Sequence, residues 1–222
     1  MTAGVARTLT LSSDGFWISP YVFACYVALR EKAARFEVKE VKLQAGEQRS
    51  PEYRATTWTG RVPALTDGDF ALTESIAILE YLEETFAPPA HARLFPADVK
   101  TKARARQLMS WLRSDATAPI RAERSAEVIF YERPLPPLTP AALAAVDKMK
   151  ELLGHFVSSV DAPLFGDWSI ADAELAFFLH RLMKDDGLLP GALRGYAETQ
   201  WRRPSVAEWV GHPRAADFVP YG

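Results

Sequence analysis

Two short stretches of the sequence carry side chains suited to binding a small charged molecule. Glu74-Ser75 begins a predicted helix, where backbone N–H groups and the serine hydroxyl can bind a carboxylate and the glutamate can attract an ammonium group. Ser19 stands directly before Pro20, and this pair predicts a second helix start, because serine is a favoured cap and proline a favoured first residue. Taken alone, each stretch also fits an ordinary polar helix start.

The elements around these two stretches alternate between strand and helix. Apolar spacing predicts a helix from Ser19-Pro20, a short one from Ser50-Pro51 and a third over 74–86. Strands are predicted at 8–11, 36–43, 62–65 and 70–72, with Asp67-Gly68 as a hairpin turn between the last two. The order β-α-β-α-β-β-α is the topology of a thioredoxin-like domain.

The second half of the chain is predicted to be helical. Pro88-Pro89 interrupts the pattern and marks a linker. Helices are predicted at 99–121, 140–159, 169–183, 190–199 and 204–210. The predicted fold is therefore α+β: a thioredoxin-like domain at 1–87, a linker at 88–98 and an all-helical domain at 99–222.

Composition and charge exclude several function classes. The formal net charge is -2, which gives no electrostatic reason to expect a nucleic acid or an anionic membrane as a partner. The single cysteine, Cys25, rules out an internal disulfide and a cysteine-rich metal site, so no metal is expected. We find no apolar signal segment at the start and no long apolar run later. A cytoplasmic protein is therefore predicted.

One extended stretch resembles a known family signature. It runs Gly60-Arg61-Val62-Pro63-Ala64-Leu65, continues through the Asp67-Gly68 hairpin, and reaches Glu74-Ser75 at a helix start. This stretch resembles the glutathione transferases, most closely the bacterial YfcF-like transferases and more distantly the zeta class. The resemblance extends over essentially the whole chain and includes the run from Phe165 to Asp172. There, Ser169 and Asp172 fit a helix capping box, for which we expect a role in folding.

The resemblance implies a set of glutathione-binding residues. In this family the proline of the Val-Pro pair is cis, which would let the backbone of Val62 pair with the cysteinyl part of glutathione beside Pro63. Ser75 would bind the γ-glutamyl carboxylate and Glu74 its ammonium group. Gln48 is similar to a zeta-class glutamine that binds the glycyl end, with Arg49 and Lys42 as alternatives.

The resemblance also assigns a residue to the thiol. A free thiol has a pKa of about 8.5, so an enzyme that uses glutathione as a nucleophile must favour the thiolate. Ser19 matches the zeta-class serine that contacts the sulfur, with Ser12, Ser13 and Tyr21 as competitors. Cys25 lies on the apolar face of the predicted helix and is expected to be buried and inert.

The predicted activity follows from these assignments. The resemblance implies a serine-type transferase that uses glutathione as co-substrate against a small apolar or peroxidic electrophile, with conjugation, peroxidase or both as the outcome. The ordinary zeta-class Ser-Ser-Cys motif is replaced by Ser19-Pro20-Tyr21, which puts the maleylacetoacetate isomerase reaction in doubt. A homodimer is expected from the family alone. The alternative is a transferase-like module that binds partners without catalysis.

Residues for the second substrate are the least constrained by the sequence. Aromatic and cationic side chains near the predicted site could bind an apolar substrate or its carboxylate. The candidates are Phe16, Trp17, Trp111, Arg113, Ser114 and Arg121.

Overall fold

The structure is a computed structural model that describes residues 8–220. The prediction about a signal segment falls partly on residues 1–7, which lie outside the described residues. Contacts divide the chain into two units: residues 8–94 together with 211–220, and residues 95–210. The segment after residue 210 therefore groups with the first unit, whereas the sequence analysis placed it in the second domain.

A four-stranded mixed sheet forms the centre of the first unit. Its strands are β1 (Leu9–Asp14), β2 (Phe36–Val41), β3 (Ala64–Asp67) and β4 (Phe70–Thr73), in the order β2-β1-β3-β4. β1 pairs in parallel with β2 and antiparallel with β3, and β3 pairs antiparallel with β4. This is the mixed sheet expected of a thioredoxin-like domain.

Helices of the first unit follow the ends of these strands. They are α1 (Pro20–Glu31), α2 (Pro51–Thr56) and α3 (Ser75–Thr85), with 3-10 turns at Leu43–Ala45 and Glu47–Arg49 before α2. α1 packs against β1 and α3, and eight consecutive residues from Val22 to Leu29 are buried. Leu9 and Leu11 of β1 are fully buried, so the core of this unit lies on the face of the sheet that α1 covers.

The second unit consists of helices. They are α4 (Val99–Arg113), α5 (Ala118–Glu123), α6 (Pro140–Leu153), α7 (Ile170–His180), α8 (Gly191–Trp201) and α9 (Pro204–Val210). α7 packs against α4 and α8, and nearly all of its residues are buried. The helical nature of this half was predicted correctly, and the bounds of α9 agree with the sequence analysis.

The long helix predicted at 99–121 is wrong. It is two helices, because α4 ends at Arg113 and a 3-10 turn at Asp115–Thr117 precedes α5. Pro119 explains the break: its ring lacks an N–H and clashes with the carbonyl of the residue four positions earlier, which is Asp115.

Other predicted boundaries shift for identifiable reasons. β1 extends to Asp14, so Ser12 and Ser13 lie in the strand instead of the following loop. β3 begins at Ala64, after the cis Val62–Pro63 peptide bond, because proline cannot donate a ladder hydrogen bond. α6 ends at Leu153 with Gly154 as its cap, several residues before the predicted end.

Candidate functional site

The predicted site residues of the first unit meet at one end of its sheet. β1 ends at Asp14 opposite Val41, the last residue of the parallel strand β2. In the antiparallel pairs, the first residue of β3, Ala64, lies between Ser12 of β1 and Thr73, the last residue of β4. The loops that follow β1, β2 and β4 and the loop that precedes β3 therefore leave the sheet at the same end. Those four segments contain Ser19, Gln48, the Val62–Pro63 pair and Glu74-Ser75.

Ser19 caps α1 as predicted, and its hydroxyl oxygen accepts a hydrogen bond from the backbone N–H of Val22 at 3.3 Å. A serine hydroxyl can accept and donate at the same time. Within residues 8–220, the Ser19 hydroxyl donates to no acceptor. The cap therefore leaves the hydroxyl hydrogen available, so capping and stabilising an anion are compatible roles for this side chain.

Asp14 holds the loop in which Ser19 lies. Its fully buried carboxylate accepts hydrogen bonds from the backbone N–H groups of Ile18 at 2.9 Å and Ser19 at 3.2 Å, and its carbonyl accepts one from Trp17 N–H. The sequence analysis missed this residue. The available signal was an aspartate followed by Gly15 at the end of a strand, because aspartate side chains commonly bond backbone N–H groups a few residues on.

The competitors of Ser19 have different surroundings. Ser13 is fully buried, and its hydroxyl donates to the carbonyl of Asp14. Ser12 lies on the α2 side of the sheet, where its hydroxyl bonds the hydroxyl of Tyr53. Burial raises the pKa of Tyr53 to about 12, and its hydroxyl donates to the carbonyl of Arg61. Tyr21 is an exposed aromatic side chain and stays an alternative to Ser19.

The Val62–Pro63 peptide bond is cis, as the resemblance implied. Val62 is half-buried and belongs to no strand, and within the described part of the chain its backbone groups make no hydrogen bond. The hydrogen bond from Tyr53 of α2 fixes the chain one residue earlier, at Arg61. The backbone of Val62 is therefore a candidate edge for pairing with an extended peptide.

Glu74 has an unusual backbone conformation. Its φ is +69°, a region that L-residues other than glycine rarely adopt and that costs about 1–3 kcal/mol. The exposed Glu74 side chain makes no cap bond to α3, while Ser75 next to it is buried. Strain of this kind persists only where the surroundings impose it and is concentrated at functional sites. The conformation marks the start of α3 as a candidate ligand-binding position.

Gln48 lies in the 3-10 turn before α2. Its side-chain oxygen is buried and has no hydrogen-bond partner within residues 8–220. Gly60 (φ +60°) approaches the Gln48 carbonyl so closely that an added Cβ would lie 3.1 Å away. This contact brings Gln48 beside the chain that leads to Val62. Arg49 and Lys42 are exposed and stay alternatives for the same role.

A cavity of about 350 Å³ lies between α2 and the sheet of the first unit. Its lining is mostly hydroxyl-bearing or charged: Thr10, Ser12, Lys39, Glu47, Ser50, Glu52, Tyr53, Thr56, Ala64 and Thr66. Apart from Ser12, it contains none of the predicted site residues. The cavity reaches that end of the sheet at Ser12 and Ala64, but the predicted glutathione-binding residues do not line it.

The candidates for the second substrate are distributed over both units. In the first, Phe16 and Trp17 are almost completely buried. In the second, Trp111 is half-buried against the helical core, and Arg121 donates to the carbonyl of Leu112. Ser114 donates to the carbonyl of Trp111.

The structure does not support a substrate-binding role for Arg113. Its guanidinium group forms a two-pronged ion pair with the carboxylate of Glu174, with one N–O distance of 2.5 Å. A guanidinium group paired in this way has its planar fork already occupied.

Two further observations concern the described residues as a whole. Within residues 8–220, no three His, Cys, Asp or Glu side chains are grouped so that they could hold a metal ion. No helix in this part of the chain has the length and apolar character needed to cross a membrane.

Comparison with known proteins agrees with this architecture. Residues 15–84 match the family model described as glutathione S-transferase, N-terminal domain, and residues 98–213 match the corresponding C-terminal domain. Bovine glutathione S-transferase theta-1 is 30% identical over 198 residues, which cover 87% of this chain and 78% of that protein. Human theta-2 is 29% identical over 86% of this chain and 75% of its own length. Mouse theta-3 is 31% identical, but the match spans only 59% of this chain and 55% of that protein.

A solved structure is also similar over nearly the whole chain. It is a glutathione transferase homologue from Burkholderia, strain BGR1, with bound glutathione. It is 34% identical, has a TM-score of 0.74, and the match covers 91% of this chain and 96% of that one. The two family models together with this similarity confirm the predicted family and fold. The chain belongs to the glutathione transferase family.

Proposed function

We propose that this protein is an enzyme that activates glutathione through Ser19 and transfers it to a small apolar or peroxidic electrophile. The observation that carries the proposal is the hydrogen bonding of the Ser19 hydroxyl. This hydroxyl accepts from Val22 N–H, and because it donates to no acceptor within residues 8–220, its hydrogen is available to a ligand at the N-terminus of α1. The sulfur of glutathione is the group that needs such a donor.

The proposed orientation of glutathione uses the four segments at the end of the sheet. Its cysteinyl backbone pairs with Val62 beside Pro63, and its γ-glutamyl carboxylate binds at Ser75. Glu74 attracts the ammonium group, and Gln48, whose buried oxygen has no partner within the described residues, binds the glycyl end. The bound glutathione of the Burkholderia homologue supports the choice of ligand.

Activation of the thiol is an electrostatic effect. The N-terminus of α1 carries a partial positive charge, and a hydroxyl donor to a thiolate makes a charge-assisted bond. Both interactions are stronger with the thiolate than with the thiol, so both lower the pKa of the bound sulfur. Lowering that pKa by about two units corresponds to about 2.7 kcal/mol.

The thiolate then attacks the electrophile. In conjugation, sulfur forms a bond to an electrophilic carbon and the leaving group departs with the electron pair. With a hydroperoxide, sulfur attacks the terminal oxygen and the O–O bond breaks, so that the alkoxide leaves with the electron pair and takes up a proton to become the alcohol. A second glutathione then reduces the resulting sulfenic acid of glutathione to yield the disulfide and water. Both reactions use the same thiolate, and either fits a role in detoxification or oxidative stress. A homodimer stays a prediction from the family.

The alternative is a transferase-like module that binds partners without catalysis. Glutathione binding distinguishes the two. Glu74→Ala should weaken glutathione binding by about 10- to 100-fold, because a charge-assisted contact contributes about 1.5–3 kcal/mol. Titration calorimetry measures this effect. Glu84→Ala is the matched control, since Glu84 is an exposed glutamate on the same helix, and it should bind normally.

If the unmodified protein does not bind glutathione, the proposed transferase activity is wrong. If Glu74→Ala binds as tightly as the unmodified protein does, the glutathione site lies elsewhere.

A further inference from the structure

The C-terminal segment, defined here as residues 211–220, contacts the loop that contains Ser19. It belongs to the same unit as that loop. The ring of His212 stacks on the indole of Trp17, with 3.4 Å between ring centroids and 20° between planes. Phe218 meets Phe16 edge to face at 5.1 Å. Two consecutive residues of the Ser19 loop are therefore covered by the end of the chain.

Arg214 holds the backbone of the same loop. Its guanidinium group donates to the carbonyl of Trp17 from two nitrogens, at 3.1 and 3.3 Å. A third nitrogen donates to the carbonyl of His212 at 2.9 Å. Arg214 therefore links the Trp17 backbone to the residue that stacks on the Trp17 ring. Hydrogen bonds from a charged donor are about twice as strong as neutral ones.

Trp17 needs such support because its backbone is strained. Its φ is +53°, which is a genuine outlier for a bulky residue. Arg214 bonds its backbone carbonyl, and His212 stacks on its indole. Glu40 also accepts the indole N–H at 2.7 Å, and Tyr26 packs against the ring edge to face. A strained residue keeps its conformation only where several contacts impose it together.

The strained residue directly precedes the two amides that Asp14 binds. With the chain turned as it is at Trp17, the N–H groups of Ile18 and Ser19 both bond the Asp14 carboxylate. The family model ends at residue 213, so Arg214 and Phe218 lie beyond the part of the chain that it matches.

We propose that the C-terminal segment is a positioning element of the thiol-activating site: through Arg214 and His212 it fixes Trp17 and thereby orients Ser19. The inference rests on the proposed function, because it assigns these residues an effect on the bound thiol. Arg214 and His212 are positioning residues that act through Trp17 and do not touch glutathione themselves.

The first test compares Arg214→Ala with the unmodified protein. We expect the rate at neutral pH to fall by about three- to tenfold with the glutathione Kd unchanged within about threefold, because the loss concerns the thiolate more than the bound peptide. The pKa of the bound thiol should rise, and Arg214→Lys, which retains a charged donor, should recover part of the effect. Arg35→Ala removes the same charge from an exposed site of the same unit, and Asp217→Ala alters an exposed residue of the C-terminal segment. Both controls should behave like the unmodified protein.

The second measurement does not depend on activity. Amide hydrogen exchange at Ile18 and Ser19 should accelerate in Arg214→Ala, because their hydrogen bonds to Asp14 open more often when Trp17 is released. In a chain that ends at Val210, amide exchange at Ile18 and Ser19 should accelerate more than in Arg214→Ala.

The outcomes separate the two proposals. If the unmodified protein does not lower the pKa of bound glutathione, the proposed function fails and this inference fails with it. If the unmodified protein lowers that pKa and Arg214→Ala lowers it equally, only the positioning role is overturned. The same holds if exchange accelerates while the bound thiol pKa stays constant, because the segment then stabilises the loop without orienting Ser19.

Discussion

Serine residues cap helices in both units of this molecule, and two of these caps differ in their hydrogen bonds: Ser19 at α1 in the first unit and Ser169 at α7 in the second. Ser169 is completely buried, and the capping box predicted with Asp172 is present. Its hydroxyl and its backbone N–H both donate to the carboxylate of Asp172. Ser19 is half-buried, accepts one bond from Val22, and within residues 8–220 donates none. The same residue type at the same helical position thus has a closed partner network in one unit and an open donor in the other.

Burial and hydrogen-bond partners separate a structural cap from a functional one. A buried polar group must have its partners inside the protein, and the Asp172 carboxylate meets this demand with four donors, including Leu164 N–H and the hydroxyl of Tyr196. Burial beside this carboxylate raises the pKa of Tyr196 well above its ordinary value. The Ser19 hydroxyl, at one end of the sheet, donates to no acceptor within residues 8–220, so it is available to a ligand.

Removing the closed network should have the largest effect. Asp172→Ala leaves Ser169, Leu164 and Tyr196 without their acceptor in a buried site, and we expect a loss of about 3–5 kcal/mol in the free energy of unfolding. Denaturant unfolding measures it. Asp147→Ala alters an exposed aspartate of α6 and should change the free energy by less than about 0.5 kcal/mol. A loss below about 1 kcal/mol for Asp172→Ala would remove the distinction between the two caps.

Acid should lower the stability of the fold through His180, at the C-terminal end of α7. Burial lowers the pKa of His180, the last residue of α7, to about 4, and its ring stacks on Trp201. Because the folded state resists protonation, the full stability is present above the ordinary pKa of 6.5 and declines as pH falls toward 4. At about 1.4 kcal/mol per pH unit, the loss is about 3 kcal/mol. Unfolding free energies of the unmodified protein and of His180→Phe, measured across this range, should diverge by that amount; parallel curves would show that His180 titrates normally.

The smallest effect is expected at Cys25, which tests whether a protein sulfur takes part in place of the Ser19 hydroxyl. Cys25 is fully buried as predicted, and its thiol lies 3.9 Å from the carbonyl oxygen of Ser75. If glutathione chemistry needed a protein sulfur, Cys25→Ala would abolish turnover in a folded protein. We expect a rate within about threefold of the unmodified protein and a stability loss of about 1 kcal/mol. Steady-state assays with an aryl halide and with a hydroperoxide, combined with thermal unfolding, measure both quantities.

Much of the fold could be predicted because its signals are local. Ser-Pro pairs specify the starts of α1 and α2, and Asp67-Gly68 specifies the hairpin. The break between α4 and α5 also has a local signal, because Pro119 disfavours a continuous helix through this region.

The parts that could not be predicted depend on contacts between distant residues. Arg214 meets Trp17 across 197 positions, and nothing in either local sequence indicates this contact. The pairing of Arg113 with Glu174 is of the same kind, because the sequence shows a cation near the predicted site but not the carboxylate that occupies it. The positive φ of Glu74 is likewise invisible, since glutamate gives no local signal for that conformation.

The pKa of the bound thiol shows whether the open donor of Ser19 stabilises the thiolate of glutathione. Thiolate absorbance in the ultraviolet, recorded against pH with saturating glutathione, gives this pKa for the unmodified protein, Ser19→Ala and Ser169→Ala. Ser19→Ala should raise it toward the free value and lower the neutral-pH rate by about ten- to a hundredfold, as expected for losing about 1.5–3 kcal/mol. Ser169→Ala should reduce stability and leave the thiol pKa unchanged. An unchanged thiol pKa in Ser19→Ala would contradict the account and make Ser19 a structural cap like Ser169.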